Sequence, residues 1–226
     1  LTWKASTVRN FDLRVKVRIS KRGNSGIHYR AMSRPDLGLD VVTGYQCDIV
    51  NGRSRHNGQL HEEGGRKILA HAGEKSVADP KGGQWVTGTF EISEFESGKW
   101  YEYRVLAKGN HFRQWINGHP TVDFIDMNQN KQRLEGVLAL QIHKGPPMTV
   151  EFKEIRIKHL PDDLPILKFT MDLMNDKDNN IDPDDYKIFT YHINCGLNFS
   201  LDTDERKKMI EKGYNETIEY LKNYKL

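Results

Sequence analysis

Residues 11–19, FDLRVKVRI, alternate strictly between apolar and charged side chains. That period of two predicts an antiparallel strand with one face buried and the other in water. Shorter segments of the same kind recur at 27–32, 44–50 and 100–126, separated by turn residues such as Asn, Gly and Pro. We find no convincing helical pattern before residue 160. The sequence therefore predicts an all-β fold, a sandwich or jelly roll of antiparallel strands.

The segment 134–158 predicts two more strands that meet at a Gly-Pro-Pro corner. The first of them is apolar on both faces, which is typical of a central strand rather than an edge. Gln141 and His143 interrupt its apolar run just before the corner. Polar residues at the end of a buried strand often belong to a site. The alternative is that both side chains only satisfy backbone groups of the loop.

Two segments differ in character from the predicted strands. The stretch 51–88 is rich in Gly, His and charge, and we interpret it as a long functional loop that holds a short hairpin. From residue 161 a Pro- and Asp-rich linker leads to an amphipathic helix at 203–224. We therefore predict a jelly-roll domain at 1–160 and a linker with a helical extension at 161–226. This helix could contact a second copy or a partner.

Composition restricts the function classes. The chain has 226 residues with 34 basic and 31 acidic side chains, and no basic block interleaved with aromatics predicts a nucleic-acid surface. No apolar run reaches the length of a membrane span. Cys47 and Cys195 lie in no CxxC arrangement, so both a disulfide and buried free thiols stay open. Residue 1 begins in mid-pattern, so a signal peptide could precede it, and we expect a periplasmic or extracellular location.

Candidate site residues cluster at predicted strand ends. In a jelly roll, Arg30, Gln46, Asp48 and Gln141 can face one concave surface, and this mixture suits a polyhydroxylated ligand and acid–base chemistry. The alternative for Arg30 and Asp48 is a cross-strand ion pair. The predicted loop adds charged and polar residues, for which a solvated loop is the alternative; these are His61, Glu62, Glu63 and Arg66.

Aromatic and metal-binding interpretations also have alternatives. Trp115 could stack on a sugar ring, although a tryptophan buried in the core is the commoner case. His56, His61 and His71 share one predicted loop, but their spacing matches no known metal-binding pattern. The acidic run 176–185 lacks the glycine and the final glutamate of an EF-hand, so we reject a calcium loop there.

Several segments in order resemble a known family, the 3-keto-disaccharide hydrolase domain of environmental bacteria. They are FDLRVKVRIS with GNSGIHYR, GYQCDIV, HEEGGRKILAHAGE, KWYEYRVLAKGNHFRQWINGHPTVDF and GVLALQIHKGPPMTVEFKEIRIKHL. The resemblance covers about residues 3–160 and departs from the family at His61, where we expect an aromatic residue such as tyrosine. Residues 165–226 fall outside it. The fold that it implies is a concanavalin A-like jelly roll.

The activity implied by the resemblance is cleavage of glycosides oxidised at C3. A base removes the acidified C2 proton, the anomeric substituent leaves, and water adds to the product. On that chemistry we expect His143 or Asp48 as the base, and Glu62 and Glu63 as leaving-group acid or metal ligand. We expect substrate contacts from seven residues: Arg30, Gln46, His61, Arg66, Trp115, Gln141 and Lys144. No cofactor is required with certainty, since either a side chain or a divalent metal ion could polarise the C3 oxygen. The alternative function is a non-catalytic, lectin-like carbohydrate-binding module.

Overall fold

The computed structural model describes residues 1–3, 6–38, 41–51, 54–145, 147–163 and 167. Twelve strands and one 3₁₀ helix, Ser54–His56, make up its regular structure. The strands are β1 (Phe11–Ile19), β2 (Asn24–Ser33), β3 (Val42–Val50), β4 (Leu60–Glu63), β5 (Lys67–Ala70), β6 (Glu74–Ala78), β7 (Gln84–Thr89), β8 (Trp100–Lys108), β9 (His111–Ile116), β10 (His119–Asp126), β11 (Val137–Ile142) and β12 (Val150–His159).

The strands form two sheets that pack face to face. One has seven strands in the order β12-β1-β8-β9-β10-β6-β7, and the other has five in the order β11-β2-β3-β4-β5. Every named pair is antiparallel except β6 with β10, which run parallel. This is a jelly-roll sandwich of mainly antiparallel strands, so the predicted all-β fold class is confirmed.

The core lies between the two sheets and is built from alternate residues of each strand. All five apolar side chains of β1 that the alternation places on one face are buried. Across the interface, Tyr29 and Tyr45 of the five-stranded sheet pack against Phe112 of the seven-stranded sheet, with ring centroids 5.7 and 4.5 Å from Phe112. Burial of large aromatic side chains is the dominant stabilising contribution in such a layer.

The same alternation defines a second face of the five-stranded sheet, which points away from the core. Tyr45, Cys47 and Ile49 face the core, so Gln46 and Asp48, which alternate with them along β3, face outward. Their cross-strand partners extend this surface: His28 and His61 lie opposite Gln46, Gly26 lies opposite Asp48, and Gln141 lies opposite Gly26. We call this surface the outer face, defined by Gly26, His28, Gln46, Asp48, His61, Glu63, Ala139 and Gln141.

Two sequence-based expectations about individual elements are wrong. β11 is the edge strand of its sheet rather than a central one. Its free side is nevertheless paired in part, because the chain before β1 runs along it, with bridges from Thr2 to Ala139 and from Val8 to Gly136. The stretch 51–88 is not a long loop, since β4, β5, β6 and most of β7 lie within it. These strands are short and carry many polar residues, which weakens the alternation signal.

The predicted helical extension and the acidic run 176–185 lie outside the described residues. The domain boundary near 161, and any contact made through the helix, therefore stay predictions. Cys47 is a free, buried thiol, and Cys195 also lies outside the described residues. Within the described part of the chain, no helix is long and apolar enough to cross a membrane.

Candidate active site

Asp48 is the centre of a hydrogen-bonded group on the outer face. Its carboxylate accepts two hydrogen bonds from carboxamides, one from Gln46 Nε2 to Oδ1 and one from Gln59 Nε2 to Oδ2, both at 2.6 Å. Gln46 Nε2 also lies 3.4 Å from Gln141 Oε1, which connects β3 to β11. Asp48 is 7% exposed. The carboxylate is thus held by two neutral donors, and no cation from the described part of the chain is in hydrogen-bonding contact with it.

Burial changes the proton affinity of two groups on this face. Loss of hydration raises the pKa of Asp48 above its usual range, against the opposing effects of the hydrogen bonds from Gln59 and Gln46. Nearby His61 lowers that pKa and Glu63 raises it. Burial, with a smaller contribution from His61, lowers the pKa of His28 to about 4, so this imidazole is neutral at pH 7. Perturbed groups of this kind are typical of catalytic sites.

Exposed polar groups surround this buried centre. The side chains of His61 and Glu63 are 23% and 43% exposed, and His61 Nδ1 lies 3.6 Å from Glu63 Oε2. His143 and Lys144 follow β11 and are exposed, with the His143 backbone N–H donating to the Asn24 carbonyl at 3.4 Å. A ligand on the outer face could therefore contact these exposed groups directly and also reach Asp48, which lies deeper.

Gly26 leaves the space that the Gln46 side chain needs. A Cβ atom built on Gly26 would lie 2.4 Å from Gln46 Cδ, closer than any real contact. The carboxamide of Gln46 therefore packs directly over the Gly26 backbone, beside Asp48. Glycine is required here by close approach rather than by an unusual backbone angle.

The structure corrects the placement of Arg30. We expected it on the concave surface beside Asp48, either as a ligand contact or as an ion pair with that residue. A β-bulge between Tyr29 and Met32 breaks the alternation, and Arg30 has a φ of 46°. Its side chain is 0% exposed, and the guanidinium carbon lies 5.1 Å from the centroid of the Phe112 ring.

The guanidinium of Arg30 is committed to the protein interior. It donates to the carbonyls of Arg9 (2.8 Å), Gly109 (2.5 Å) and Arg133 (3.1 Å), and to Asn10 Oδ1 (3.2 Å). Burial lowers its pKa to about 10, which still leaves it cationic at neutral pH. Arg30 joins separate chain segments and does not reach the outer face.

Glu62 and Arg66 also lie apart from Asp48. Glu62 pairs with Tyr45 in the sheet, so it points to the opposite face from His61 and Glu63. Its Oε2 accepts from Arg66 Nε at 2.5 Å, and Arg66 Nη1 and Nη2 donate to Asp126 at 3.0 and 2.5 Å. Glu62, expected as leaving-group acid or metal ligand, and Arg66, expected as a substrate contact, thus do not lie with Asp48 on the outer face. For Glu62 the reason is that adjacent strand residues alternate in direction.

A cleft of about 620 Å³ lies beside this ion pair. Its lining comes from the β4–β5 turn and from the loop that follows β10: Glu62, Gly64, Gly65, Arg66, Asn130, Lys131, Gln132 and Arg133. None of the outer-face residues lines it. The cleft and the Asp48 group are thus two distinct features of the five-stranded sheet.

Trp115 lies on the other sheet. It sits on the surface of β9 that points away from the core, between the guanidinium groups of Arg104 and Arg113 at 4.6 and 5.0 Å from its ring centroid. The buried-core alternative is therefore wrong for Trp115, whereas its contact with a sugar stays a prediction. Trp115 is a partly exposed member of a stack of cations and aromatics.

No group of three or more His, Cys, Asp or Glu side chains in the described part of the chain is arranged to hold a metal ion. His56 and His71 lie near each other, with ring centroids 5.8 Å apart, whereas His61 belongs to the outer face. The metal dependence of the predicted reaction therefore stays a prediction.

The sequence analysis did not identify two residues of this site, His28 on the outer face and Gln59, which is hydrogen-bonded to Asp48. His28 has the same strand parity as Gly26 and lies directly opposite Gln46, so the alternation of β2 could have identified it. Gln59 precedes β4 in a stretch that we interpreted as loop, and no local pattern indicates that its side chain reaches Asp48. A single hydrogen bond connects Gln59 to Asp48, which is eleven residues away in the sequence.

The sequence was compared with known families and curated proteins. A family model described as a 3-keto-alpha-glucoside-1,2-lyase-like domain matches residues 1–158, which is the part of the chain that contains every outer-face residue. No curated protein matches the sequence significantly.

Solved structures show distant similarity. The carbohydrate-binding module CBM66 from Bacillus subtilis is 13% identical, with 68% of this chain and 78% of that chain covered and a TM-score of 0.46. A protein from Parabacteroides distasonis, provisionally named a glycosyl hydrolase, is 19% identical, with 70% and 75% covered and a TM-score of 0.46. These TM-scores are too low to support an argument, and the fold assignment rests on the two sheets described above.

Proposed function

Because the chain belongs to the 3-keto-alpha-glucoside-1,2-lyase-like domain family, we propose that it cleaves glycosides whose sugar carries a ketone at C3. The proposed reaction is an elimination that begins with removal of the C2 proton. Addition of water to the product makes the net reaction a hydrolysis. The proposal includes a periplasmic or extracellular location, where glycosides from outside the cell would be met.

The observation that supports this proposal most directly is the environment of Asp48. Elimination next to a ketone needs a base that can take a carbon-bound proton, and a carboxylate with a raised pKa is a better base than an ordinary aspartate. The two carboxamides fix its orientation without neutralising its charge. Asp48 is therefore our candidate base, in preference to the exposed His143.

The chemistry follows from the ketone. The Asp48 carboxylate takes the proton from C2, the electron pair of the broken C–H bond forms the C1–C2 double bond, and the C1–O bond breaks. The departing oxygen takes up a proton and leaves as an alcohol. Water then adds across the double bond, with its oxygen on C1 and a proton returned to C2. The sugar keeps its ketone throughout, and no oxocarbenium ion is required.

Three groups around Asp48 fit the remaining tasks. Gln141 is hydrogen-bonded to Gln46 and can hold a hydroxyl or the keto oxygen of the sugar. The imidazole of His61 can donate to oxygen where negative charge develops. Glu63, beside His61 and more exposed, can protonate the leaving oxygen. Of the two glutamates expected at the leaving group, our candidate is Glu63, since Glu62 does not lie on the outer face.

The test is release of the aglycone from a 3-keto-glucoside and from its unoxidised parent, each with and without a chelator. We expect release from the keto compound alone, and its loss in the variant Asp48→Asn. Asp123→Asn is the matched control, since this carboxylate lies on the other sheet and pairs with His111. Sensitivity to the chelator would assign a role to a metal ion.

Other outcomes of the same experiment decide between the readings. If the unoxidised parent is cleaved equally well, the elimination is wrong. If neither compound is cleaved but both bind, the chain is a carbohydrate-binding module, and Asp48 has no catalytic task. Full activity of Asp48→Asn would assign the base to another residue, with His143 the first to be tested.

A further inference from the structure

Gln59 connects Asp48 to a histidine that does not reach the carboxylate itself. The Gln59 side chain is almost fully buried, and its Nε2 donates to Asp48 Oδ2 at 2.6 Å. Its other end, Oε1, lies 3.0 Å from Nδ1 of His56. A single carboxamide thus contacts the candidate base on one side and the imidazole on the other.

The chemistry of the two ends determines their direction. A carboxylate can only accept hydrogen bonds, so the NH₂ of Gln59 must face Asp48. The carbonyl oxygen then faces His56 and can only accept, so the proton of the neutral imidazole is on Nδ1. His56 therefore donates to Gln59, and Gln59 donates to Asp48.

This donor from His56 has a consequence for the orientation of Gln59. The two ends of a carboxamide have nearly the same shape, so packing alone distinguishes them poorly. A reversed Gln59 would place its oxygen against the Asp48 carboxylate and its NH₂ against the N–H of His56, and both contacts are unfavourable. Gln46 has no such support, since its Oε1 is buried without a hydrogen-bond partner among the described residues.

His56 is itself held in place by its surroundings. It ends the 3₁₀ helix Ser54–His56, and its carbonyl accepts from the Gln59 backbone N–H at 3.4 Å. The ring of His71 packs edge-on against it, with an interplanar angle of 71°. The neighbouring Arg55 carbonyl accepts from Ala72 N–H at 3.1 Å, which ties this turn to the β5–β6 connection.

We propose that His56 is a positioning residue that acts through Gln59 to orient the Asp48 carboxylate for proton removal. It touches neither the substrate nor Asp48. The proposal rests on the proposed function, because it assumes that Asp48 is the base. Its effect would be on the rate of the chemical step rather than on binding of the sugar.

The experiment compares two variants in the complete chain. His56→Leu removes the donor with little change in volume, whereas His56→Asn keeps an N–H close to the position of Nδ1. We expect kcat to fall about tenfold in His56→Leu with KM changed less than twofold, as for loss of one oriented hydrogen bond. His56→Asn should stay within about threefold of the wild type. Thermal unfolding of both variants confirms that they are folded.

The pH profile of kcat/KM distinguishes a positioning role of His56 from a purely structural one, because a structural role would leave the profile unchanged. Without an oriented Gln59, the ionised form of Asp48 loses a hydrogen bond and its pKa rises, so the acid limb should move to higher pH by about one unit in His56→Leu. The other titratable groups near Asp48, His61 and Glu63, are unchanged in both variants. If His56 itself titrated in the profile, its limb would vanish equally in both variants, and that result would overturn the proposal.

A measurement without substrate separates this inference from the proposed function. The pKa of the Asp48 carboxyl, followed by ¹³C NMR, should be higher in His56→Leu than in the wild type and in His56→Asn. If the wild type does not cleave the keto compound, the proposed function fails, and this order of pKa values still tests the link through Gln59. The same pKa in all three proteins would overturn the link.

Discussion

The five-stranded sheet and its neighbours hold two buried carboxylates in opposite ways. Asp126, at the end of β10, is 0% exposed and receives two hydrogen bonds from the Arg66 guanidinium and one from the Tyr45 hydroxyl. Asp48, 7% exposed, receives its two hydrogen bonds from neutral carboxamides only. Both carboxylates are satisfied, but among the described residues only Asp126 has a guanidinium in hydrogen-bonding contact with it.

The difference separates a structural role from a chemical one. The Arg66–Asp126 pair connects the β4–β5 turn to the end of β10, and a change in the charge of either partner would break that connection. At Asp48 the charge itself is what burial opposes, so gain of a proton leaves a neutral group against two neutral carboxamides. A buried carboxylate without a cation is the arrangement expected of a base that takes up and returns a proton.

The largest expected effect is on activity at Asp48. Asp48→Asn should lower kcat for a 3-keto-glucoside by about 10²- to 10⁴-fold, the usual contribution of a general base. Its free energy of unfolding should fall by less than that of Asp126→Asn, since no charged partner is left alone. Steady-state kinetics and urea unfolding of the same preparation check both statements. If Asp48→Asn lost as much free energy of unfolding as Asp126→Asn, the distinction between the two carboxylates would disappear.

Replacement of Asp126 should affect the stability of the protein rather than its activity. Asp126→Asn leaves Arg66 with Glu62 as its one remaining acidic partner among the described residues, and we expect the free energy of unfolding to fall by about 3 kcal/mol. Urea unfolding measures this loss. The matched control is Asp123→Asn, whose partly exposed pairs with His111 and Arg113 should contribute about 1 kcal/mol or less. Equal losses in the two variants would show that burial of the Arg66 pair is unimportant.

His28 extends the comparison to pH. Its pKa is about 4 in the folded protein and about 6.5 in an unfolded chain, so only the unfolded state takes up the proton as pH falls through this window. Stability is therefore present above pH 6.5 and is lost toward pH 4, by about 3 kcal/mol. His28→Gln removes this contribution. Urea unfolding at several pH values should show a shallower loss in the variant, and parallel curves would refute the assignment.

Gly26→Ala tests how tightly the Asp48 group is packed. The added Cβ would force Gln46 from its position, which should lower kcat about tenfold and the free energy of unfolding by about 1–3 kcal/mol. Gly145→Ala is the control, because nothing lies within 4 Å of a Cβ built there. Kinetics and urea unfolding of both variants are compared. An unchanged kcat in Gly26→Ala would mean that Gln46 does not position Asp48.

The smallest effect is expected at Trp115. Since it lies on the seven-stranded sheet, Trp115→Leu should change kcat/KM for the keto compound by less than twofold. Steady-state kinetics with the 3-keto-glucoside measures this change in kcat/KM. A tenfold rise in KM without a change in kcat would instead place part of the sugar on that sheet.

The sequence predicts the outer face where the alternation is regular. The pattern of β3 placed Gln46 and Asp48 together and separated them from Tyr45 and Cys47, and the structure agrees. The same rule, applied to β4, separates Glu62 from His61 and Glu63. The sequence predicts a loop at β4, because four residues are too few to show a clear alternation.

Arg30 could not be placed by the same reasoning. Its position in the pattern of β2 is that of an outer-face residue, and only the bulge with a positive φ turns it inward. Bulges insert one residue without a strong sequence signal, and a one-residue change in register exchanges the two faces. The contact of Gln59 with Asp48 was equally inaccessible, because it depends on the path of a turn.

The pairing of β1 with β12 also determines when the seven-stranded sheet can be completed. Phe11 lies opposite His159 and β1 is flanked by β8 and β12, so the seven-stranded sheet joins the two ends of the domain. Such long-range contacts cost loop-closure entropy before they contribute stability, and sheets of this topology fold in milliseconds to seconds. During synthesis, β1 must wait for about 140 further residues before its second neighbour exists. Gln141 comes from the same late part of the chain, so the row from Gln141 through Gly26 to Asp48 can be completed only after most of the domain has been synthesised.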